Sequence, residues 1–259
     1  MSSTIYSVQS LYGLIGYPLI HSFSQDYYNR KFESEGINAM YLNFEIEDIG
    51  QFMEIVAQYP NLKGLNVTAP YKEQVIPYLN ELDEDAQVIG AVNVLKVLKD
   101  LKNNDVRLKG YNSDVVGFSK SIEPFLDENH NKAMVFGTGG AAKAVSHALQ
   151  KLGVEVMHIS RNKTQATVTY EEITKAMVHD HKIIVNATPL GTYPHVESCP
   201  DFPYRFLTQD HIAYDLVYNP EETLFMKKSK EFGATVKNGL EMWLLQGFAS
   251  YEIWTNDSL

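Results

Sequence analysis

The sequence holds a single cysteine, Cys199, in 259 residues. A lone thiol cannot build an internal disulfide framework, and a cysteine-based zinc site is excluded with it. Such sparing use of cysteine suits a reducing compartment. Long apolar runs are also missing: no stretch approaches the roughly 18 consecutive apolar residues of a membrane-spanning helix. Basic charge is scarce, with 22 Lys and Arg against 32 Asp and Glu and a net charge of −10. The broad basic surface of a nucleic-acid-binding protein is therefore absent. The first basic residue is Arg30, so no positive region precedes an apolar stretch at the N-terminus and no secretory leader is expected. These absences predict a cytoplasmic protein without a nucleic-acid or membrane partner. Solenoid-length repeats and low-complexity tracts are lacking as well.

What is present is an ordinary globular composition, 44% hydrophobic and 21% charged, in which short apolar runs alternate with amphipathic stretches, the pattern of βαβ units. Strands are expected at 12–16, 41–46, 63–67, 88–98 and 106–111, the last two joined by a polar turn at 100–105. A helix over 25–35 would be capped by Ser24 and stopped by Gly36, and 49–57 reads as another. Pro70 suits the first turn of a further helix. A second series places strands at 134–136, 154–159, 183–186, 212–216 and 233–236. A helix at 143–152 ends at Gly153, and the apolar stretch 240–254 has the spacing of a mostly buried helix. The main boundary is expected near 110–119.

Gly137-Thr138-Gly139-Gly140-Ala141-Ala142 fits G-x-G-x-x-A between an expected strand and an expected helix, the context that gives this pattern meaning. Glycines allow the tight turn and a close approach of backbone to a pyrophosphate, and the helix N-terminus offers N–H groups to the phosphates. An NAD binder places an acid at the end of the next strand to hold the ribose 2′-hydroxyl. Here the run is Met157-His158-Ile159-Ser160-Arg161-Asn162-Lys163, with no acid. A guanidinium pairs with a 2′-phosphate, so Arg161 argues for NADP.

The first half carries its own polar cluster. Asn66-Val67-Thr68-Ala69-Pro70-Tyr71-Lys72 lies just beyond a strand, where α/β sheets bind ligands. Asn66 and Thr68 alternate onto one face. Lys72 falls in the expected first turn of a helix, where the macrodipole disfavours a cation and suits a lysine that gives up a proton. Asn93 places an amide in an expected buried strand, and Asp114 ends another strand as a natural partner for Lys72. Ser22 and Ser24 add hydroxyls. Singly, each has a bland explanation as helix cap, core amide or surface lysine; their number is what points to a site.

Taken in order, the motifs Gly16-Tyr17-Pro18 with His21-Ser22-Phe23-Ser24, Gly64 to Thr68 with Lys72, Gly90 to Asn93, Gly110 to Asp114, Gly137 to Ala141, Asn186-Ala187-Thr188-Pro189-Leu190-Gly191, Asp215 to Pro220, and Asn238-Gly239-Leu240 with Gln246 resemble the shikimate dehydrogenase family over about 12–254. The resemblance implies an α/β fold with an N-terminal substrate domain and a Rossmann-type, doubly wound NADP-binding domain. The substrate domain would be discontinuous, 1–112 with 238–259, because the C-terminal helix returns to it, and 113–237 would bind NADP. The active site would be the cleft between them. The implied reaction is the reversible NADPH-dependent reduction of 3-dehydroshikimate to shikimate. Lys72 and Asp114 match the catalytic pair, and Ser22, Ser24, Asn66, Thr68, Asn93, Tyr218 and Gln246 match substrate-binding positions. Gly137, Thr138, Gly139, Gly140 and Ala141 would cradle the pyrophosphate; Ser160, Arg161 and Asn162 would select the 2′-phosphate; Leu216 and Gly239 also match cofactor-binding positions. The family has no metal and occurs as monomers and homodimers.

Departures are few. Gln25 stands where the family usually has proline, Ser113 where threonine is usual, and Thr192 where methionine is common. Ser160 and Asn162 replace the usual asparagine and threonine. A paralogue preferring quinate or accepting NAD is one alternative, and a non-catalytic NADP-binding regulator is another; retention of Lys72 and Asp114 argues against the second. His179-Asp180-His181 lacks a third nearby ligand and reads as a solvated turn rather than a metal site.

Overall fold

A computed structural model describes residue 5 and residues 7–19, 23–100, 105–165 and 167–256. Two compact units divide the chain: Met1–Ser113 with Ser250–Leu259, and Asp114–Ala249. The second crossing thus falls at 250, inside the last helix, where the sequence reading placed it at 238.

In the first unit, β1 (Ser10–Gly16), β2 (Ala39–Glu45), β3 (Leu62–Val67), β4 (Glu81–Leu82), β5 (Val94–Asp100) and β6 (Asp105–Tyr111) form one sheet in the order β2-β1-β3-β5-β6-β4. β1 runs parallel to β2 and β3, while β5 is antiparallel to both β3 and β6. Helices α1 (Ser24–Ser34), α2 (Phe52–Gln58) and α3 (Glu84–Ile89) connect the strands. β1 is buried on both sides, as a central parallel strand requires. Leu11 and Ile15 join Phe52, Leu65 and Leu95 in one cluster, and Tyr12 and Leu14 join Tyr28, Phe32, Tyr41 and Trp254 in another.

The edge strand β2 is covered by side chains rather than by another strand. Asn29 accepts from Tyr41 N (2.8 Å) and donates to Tyr41 O (2.9 Å), and Gln25 accepts from Asn43 N (2.8 Å). Spaced four apart, the two face the strand from one side of α1 and blunt an edge that would otherwise invite pairing. Gln25, the residue where the family usually has proline, thereby acquires a structural role.

Three sequence expectations in this unit are corrected. Residues 88 and 89 close helix α3 rather than opening a strand. Asp83 caps α3 by accepting from Ala86 N (2.8 Å), and Gly90 ends it at φ +66°; those caps outweigh the β preference of Val88 and Ile89. No α-helix follows Pro70: 69–75 form turns, then a 3-10 turn covers Ile76–Tyr78. The dipole argument for Lys72 therefore has no helix to act through. Ser24 is the first residue of α1, not its cap; Phe23 holds the cap position without a side-chain bond. The expected polar turn at 100–105 lies largely outside the described residues.

In the second unit, β7 (Lys132–Phe136), β8 (Glu155–Ser160), β9 (Thr167–Thr169), β10 (Ile183–Asn186), β11 (Ile212–Asp215) and β12 (Thr235–Lys237) form an all-parallel sheet ordered β12-β11-β10-β7-β8-β9. Its helices are α4 (Asp114–Ile122), α5 (Gly140–Lys151), α6 (Lys175–Asp180), α7 (Leu224–Glu231) and α8 (Leu240–Thr255). The chain builds outward from β7 through β8 to β9, then restarts at β10 on the other side, so the topological switch point lies between β7 and β10.

The last turns of α8 belong to the first unit. There Trp254 stacks on Tyr12 (ring centroids 4.8 Å) and donates from Nε1 to Leu95 O (3.0 Å). Gly64 makes room for it: a Cβ there would lie 2.1 Å from the indole. Two lysines of β5 serve helix ends. Lys99 donates to Val56 O (2.9 Å) and Tyr59 O (2.6 Å) at the end of α2, and Lys96 donates to Asn256 O beyond α8. Exposed carbonyls and the macrodipole make these ends attractive to cations. Burial, then nearby Lys63, pushes the Lys99 ammonium below its usual range.

Candidate active site

At the switch point, Gly137 leaves β7 with φ +112°, and a Cβ there would lie 3.0 Å from Ala187 O, so the position favours glycine twice over. Thr138 and Gly139 are exposed, and a Cβ built on Gly139 would meet nothing within 4 Å. Gly139 caps α5 with no side-chain bond. The first-turn amides at Gly140 and Ala141 have no acceptor within the helix, and a helix N-terminus with open space before it suits a phosphate. This turn fits a pyrophosphate on its own geometry.

At the end of β8, Ser160 Oγ accepts from Asn162 N (3.2 Å), and Arg161 and Asn162 are exposed. Lys163 is engaged elsewhere, in an ion pair with Glu172 at 2.6 Å. Arg161 is thus the exposed cation at the strand end, with no carboxylate in the acidic residue's usual place. Those features fit a 2′-phosphate better than a bare ribose hydroxyl. On the opposite side of the switch point, Gly239 lies against Leu216: a Cβ on Gly239 would come within 2.0 Å of Leu216 O, and Gly239 N donates to Val217 O (3.2 Å).

The first unit brings several expected residues into one buried polar network. Tyr41 Oη donates to Asn66 Oδ1 (2.8 Å), while Asn66 Nδ2 donates to Asn93 O (3.3 Å) and Ser250 Oγ (3.0 Å). Asn93 Oδ1 accepts from Ser113 N (2.7 Å), and its Nδ2 donates to Ser113 Oγ (3.0 Å), which lies 3.0 Å from Ser250 Oγ. Ser24 bonds the Tyr41 hydroxyl, which burial holds well above its usual range. Asn93 sits one residue before β5 rather than within a strand. Tyr41, Ser113 and Ser250 carry the network, yet Tyr41 and Ser250 had no signal in the sequence beyond their apolar surroundings.

Lys72 is half-buried in the turns after β3, and its carbonyl accepts from Val92 N (2.7 Å), beside Asn93. Thr68 N donates to Ile15 O (3.0 Å), tying the start of that segment to β1. Asp114 is buried at the first position of α4, directly after Ser113, where the helix dipole favours a carboxylate. One turn on, a Cβ at Gly117 would lie 2.9 Å from Gln246 Cβ, so α4 and α8 meet closely there. Tyr218 lies against Trp243 with the rings tilted (centroids 5.6 Å), the Trp243 carbonyl accepts from Gln246 Nε2 (2.9 Å), and burial pushes the Tyr218 phenol up to about 12. Ser22, with His21, lies outside the described residues.

His179 and Asp180 close helix α6 and His181 is buried, so this stretch is not the solvated turn the sequence suggests. Asp180 pairs with Lys132 (2.7 Å), and buried His181 shares a hydrogen bond with Met177 O through Nδ1 (2.7 Å). Among the described residues no group of three or more His, Cys, Asp or Glu could hold a metal ion, and no helix is long and apolar enough to cross a membrane.

An all-parallel sheet with an open glycine turn at its switch point defines the dinucleotide-binding class of α/β proteins. A family model described as the shikimate dehydrogenase substrate binding domain matches residues 14–95. The chain is 37% identical over 265 residues to the shikimate dehydrogenase (NADP(+)) of Carboxydothermus hydrogenoformans, covering 96% of this chain and 92% of the relative. Among solved structures, shikimate 5-dehydrogenase from Thermus thermophilus in complex with NADP(H) and shikimate superposes with a TM-score of 0.81 at 28% identity, covering 95% of this chain and 93% of that one. The Listeria monocytogenes enzyme in complex with shikimate and NAD also gives a TM-score of 0.81, at 30% identity, covering 95% and 92%. The chain belongs to the shikimate dehydrogenase family.

Proposed function

We propose that this chain catalyses the reversible NADPH-dependent reduction of 3-dehydroshikimate to shikimate. The observation that carries this reading is the polar network around Asn66 and Asn93, held next to the Lys72 segment, in a chain whose other sheet bears the open glycine turn. A small acid with several ring hydroxyls needs many short polar anchors, and Ser22, Ser24, Asn66, Thr68, Asn93, Tyr218 and Gln246 would supply them. NADPH, when bound, supplies the hydride. Lys72 would give a proton to the C3 oxygen as negative charge develops there, or hold that charge as a cation. Asp114 would orient Lys72 and accept from a ring hydroxyl. The amides after Gly139 would hold the pyrophosphate and Arg161 the 2′-phosphate.

Steady-state turnover measured at 340 nm with shikimate and quinate, each with NADP and NAD, tests this. Shikimate with NADP is expected to be the best pair. Lys72→Ala should abolish most turnover while NADP binding survives. Folded protein silent with all four pairs would falsify the reading. A second reading, that NAD also serves, is favoured by the Listeria structure with NAD; equal kcat/KM with the two cofactors would establish it.

A further inference from the structure

Asp215 closes β11 and is completely buried. Among the described residues no cation pairs with it. Its carboxylate is held by donors from separate segments: Asn186 Nδ2 at the end of β10 (2.9 Å), Val217 N just past β11 (3.0 Å), and Thr223 Oγ1 at the cap of α7 (2.6 Å). Each partner passes the constraint on. Asn186 Oδ1 accepts from both Thr188 N (3.1 Å) and Thr188 Oγ1 (2.6 Å), and Asn186 Nδ2 also donates to Leu190 O (3.2 Å). Thr223 Oγ1 accepts from Met226 N (3.2 Å), starting α7. One buried carboxylate therefore sets two loops, 186–190 and 216–223, at the carboxyl ends of neighbouring strands.

A buried carboxylate without a counter-charge is costly and persists where its hydrogen bonds are needed. The placement of these loops says what they are needed for. The glycine turn lies at the end of β7, and Arg161 at the end of β8 marks the adenosine side. A dinucleotide with its pyrophosphate at the turn and its adenosine over β8 must lay its other half over β10 and β11, where the two loops emerge.

We infer that Asp215 is a positioning residue for the nicotinamide half of the cofactor, acting through Thr188 and the Leu216–Val217 backbone; this rests on the cofactor reading above. Adenosine 2′,5′-bisphosphate carries the adenosine half alone and separates the two ideas. Asp215→Asn should weaken NADP binding by about tenfold or more, the scale of leaving a buried donor without its acceptor, while affinity for the bisphosphate is unchanged. In turnover, kcat and the KM for NADP should change, and the KM for shikimate should not. Thr223→Val should reproduce part of the effect and Thr223→Ser should restore it. Equal loss of NADP and bisphosphate binding, or an Asp215→Asn protein matching the parent in both, overturns the inference. If Asp215→Asn fails to fold, the Thr223 pair decides: equal NADP affinity in the Val and Ser variants overturns it. Failure of the parent protein to bind either nucleotide would instead sink the cofactor reading.

Discussion

Asn66 and Ser250 stand 184 residues apart in the sequence and share a hydrogen bond of 3.0 Å. That bond joins the end of a central strand to the last helix, and Ser250 Oγ then reaches Ser113 Oγ, the partner of Asn93. Both amide protons of Asn66 are occupied, and one lone pair of its Oδ1 is taken by Tyr41. Toward a ligand, Asn66 in this arrangement offers an acceptor, which suits a substrate hydroxyl better than a carboxylate.

Removing the Tyr41 hydroxyl therefore tests the network. Tyr41→Phe should leave Asn66 less firmly oriented, raise the KM for shikimate several-fold and lower stability by about 1 kcal/mol. The KM for NADP should stay put. Kinetics with each substrate varied in turn, alongside urea unfolding, separates these outcomes; an unchanged shikimate KM would show that Asn66 needs no orienting.

Arg161 is the exposed cation where the 2′-phosphate is expected. Arg161→Ala should raise the KM for NADP at least about tenfold, the loss of a charge-assisted pair, and leave the KM for NAD nearly unchanged. A parallel loss for both cofactors would assign selection to another residue.

The close fit of Gly64 against Trp254 makes a stability prediction. Gly64→Ala drives a methyl into the indole ring and should cost about 1–3 kcal/mol. Trp254→Ala empties the site on the Tyr12 face and should cost about 3–5 kcal/mol. Denaturant midpoints measure both. A near-neutral Gly64→Ala would mean that the end of α8 shifts freely.

Asp215 also predicts a pH dependence. Burial pushes its carboxyl up to about 7, against an ordinary value of 3.8, although the bonds from Thr223, Val217 and Asn186 pull the other way. The folded protein therefore holds this proton over a pH range in which the unfolded chain has lost it. Stability from this group is greatest below about pH 4 and is lost as pH rises toward about 7, by up to about 1.4 kcal/mol per pH unit. The phenol of Tyr204, which feels the Asp215 charge, is held far above this range by burial. Unfolding free energies of the parent minus those of Asp215→Asn should fall between pH 4 and 7 and be level on either side. A flat difference throughout would contradict the buried carboxyl.

The elements most legible in the sequence were those with local physical causes. The turn after β7 was readable because glycine tolerates φ +112° and a close backbone neighbour. The cofactor reading followed from a single position, Arg161, where an acid is absent. Strand β10 was placed at its observed bounds, Ile183–Asn186, because an all-buried parallel strand is a short unbroken apolar run. Strands β4 and β9 leave no mark in the sequence because two or three residues carry no period.

What the sequence by itself determined is thus most of the longer strands, the helices now seen at Ser24–Ser34, Phe52–Gln58, Gly140–Lys151 and Leu240–Thr255, the glycine turn and the residue types lined up for a polar site. These depend on caps, backbone preference and periodicity, which act over a few residues. Only the tertiary structure decided how the polar groups are used. Lys72 sits in a run of turns rather than in the first turn of a helix. Asn66 spends its donors on Asn93 and Ser250, and Asp215 draws Asn186 and Thr223 to itself. A buried polar group must find partners wherever the fold brings them, and for these residues the partners come from other strands and helices, beyond the reach of any local pattern.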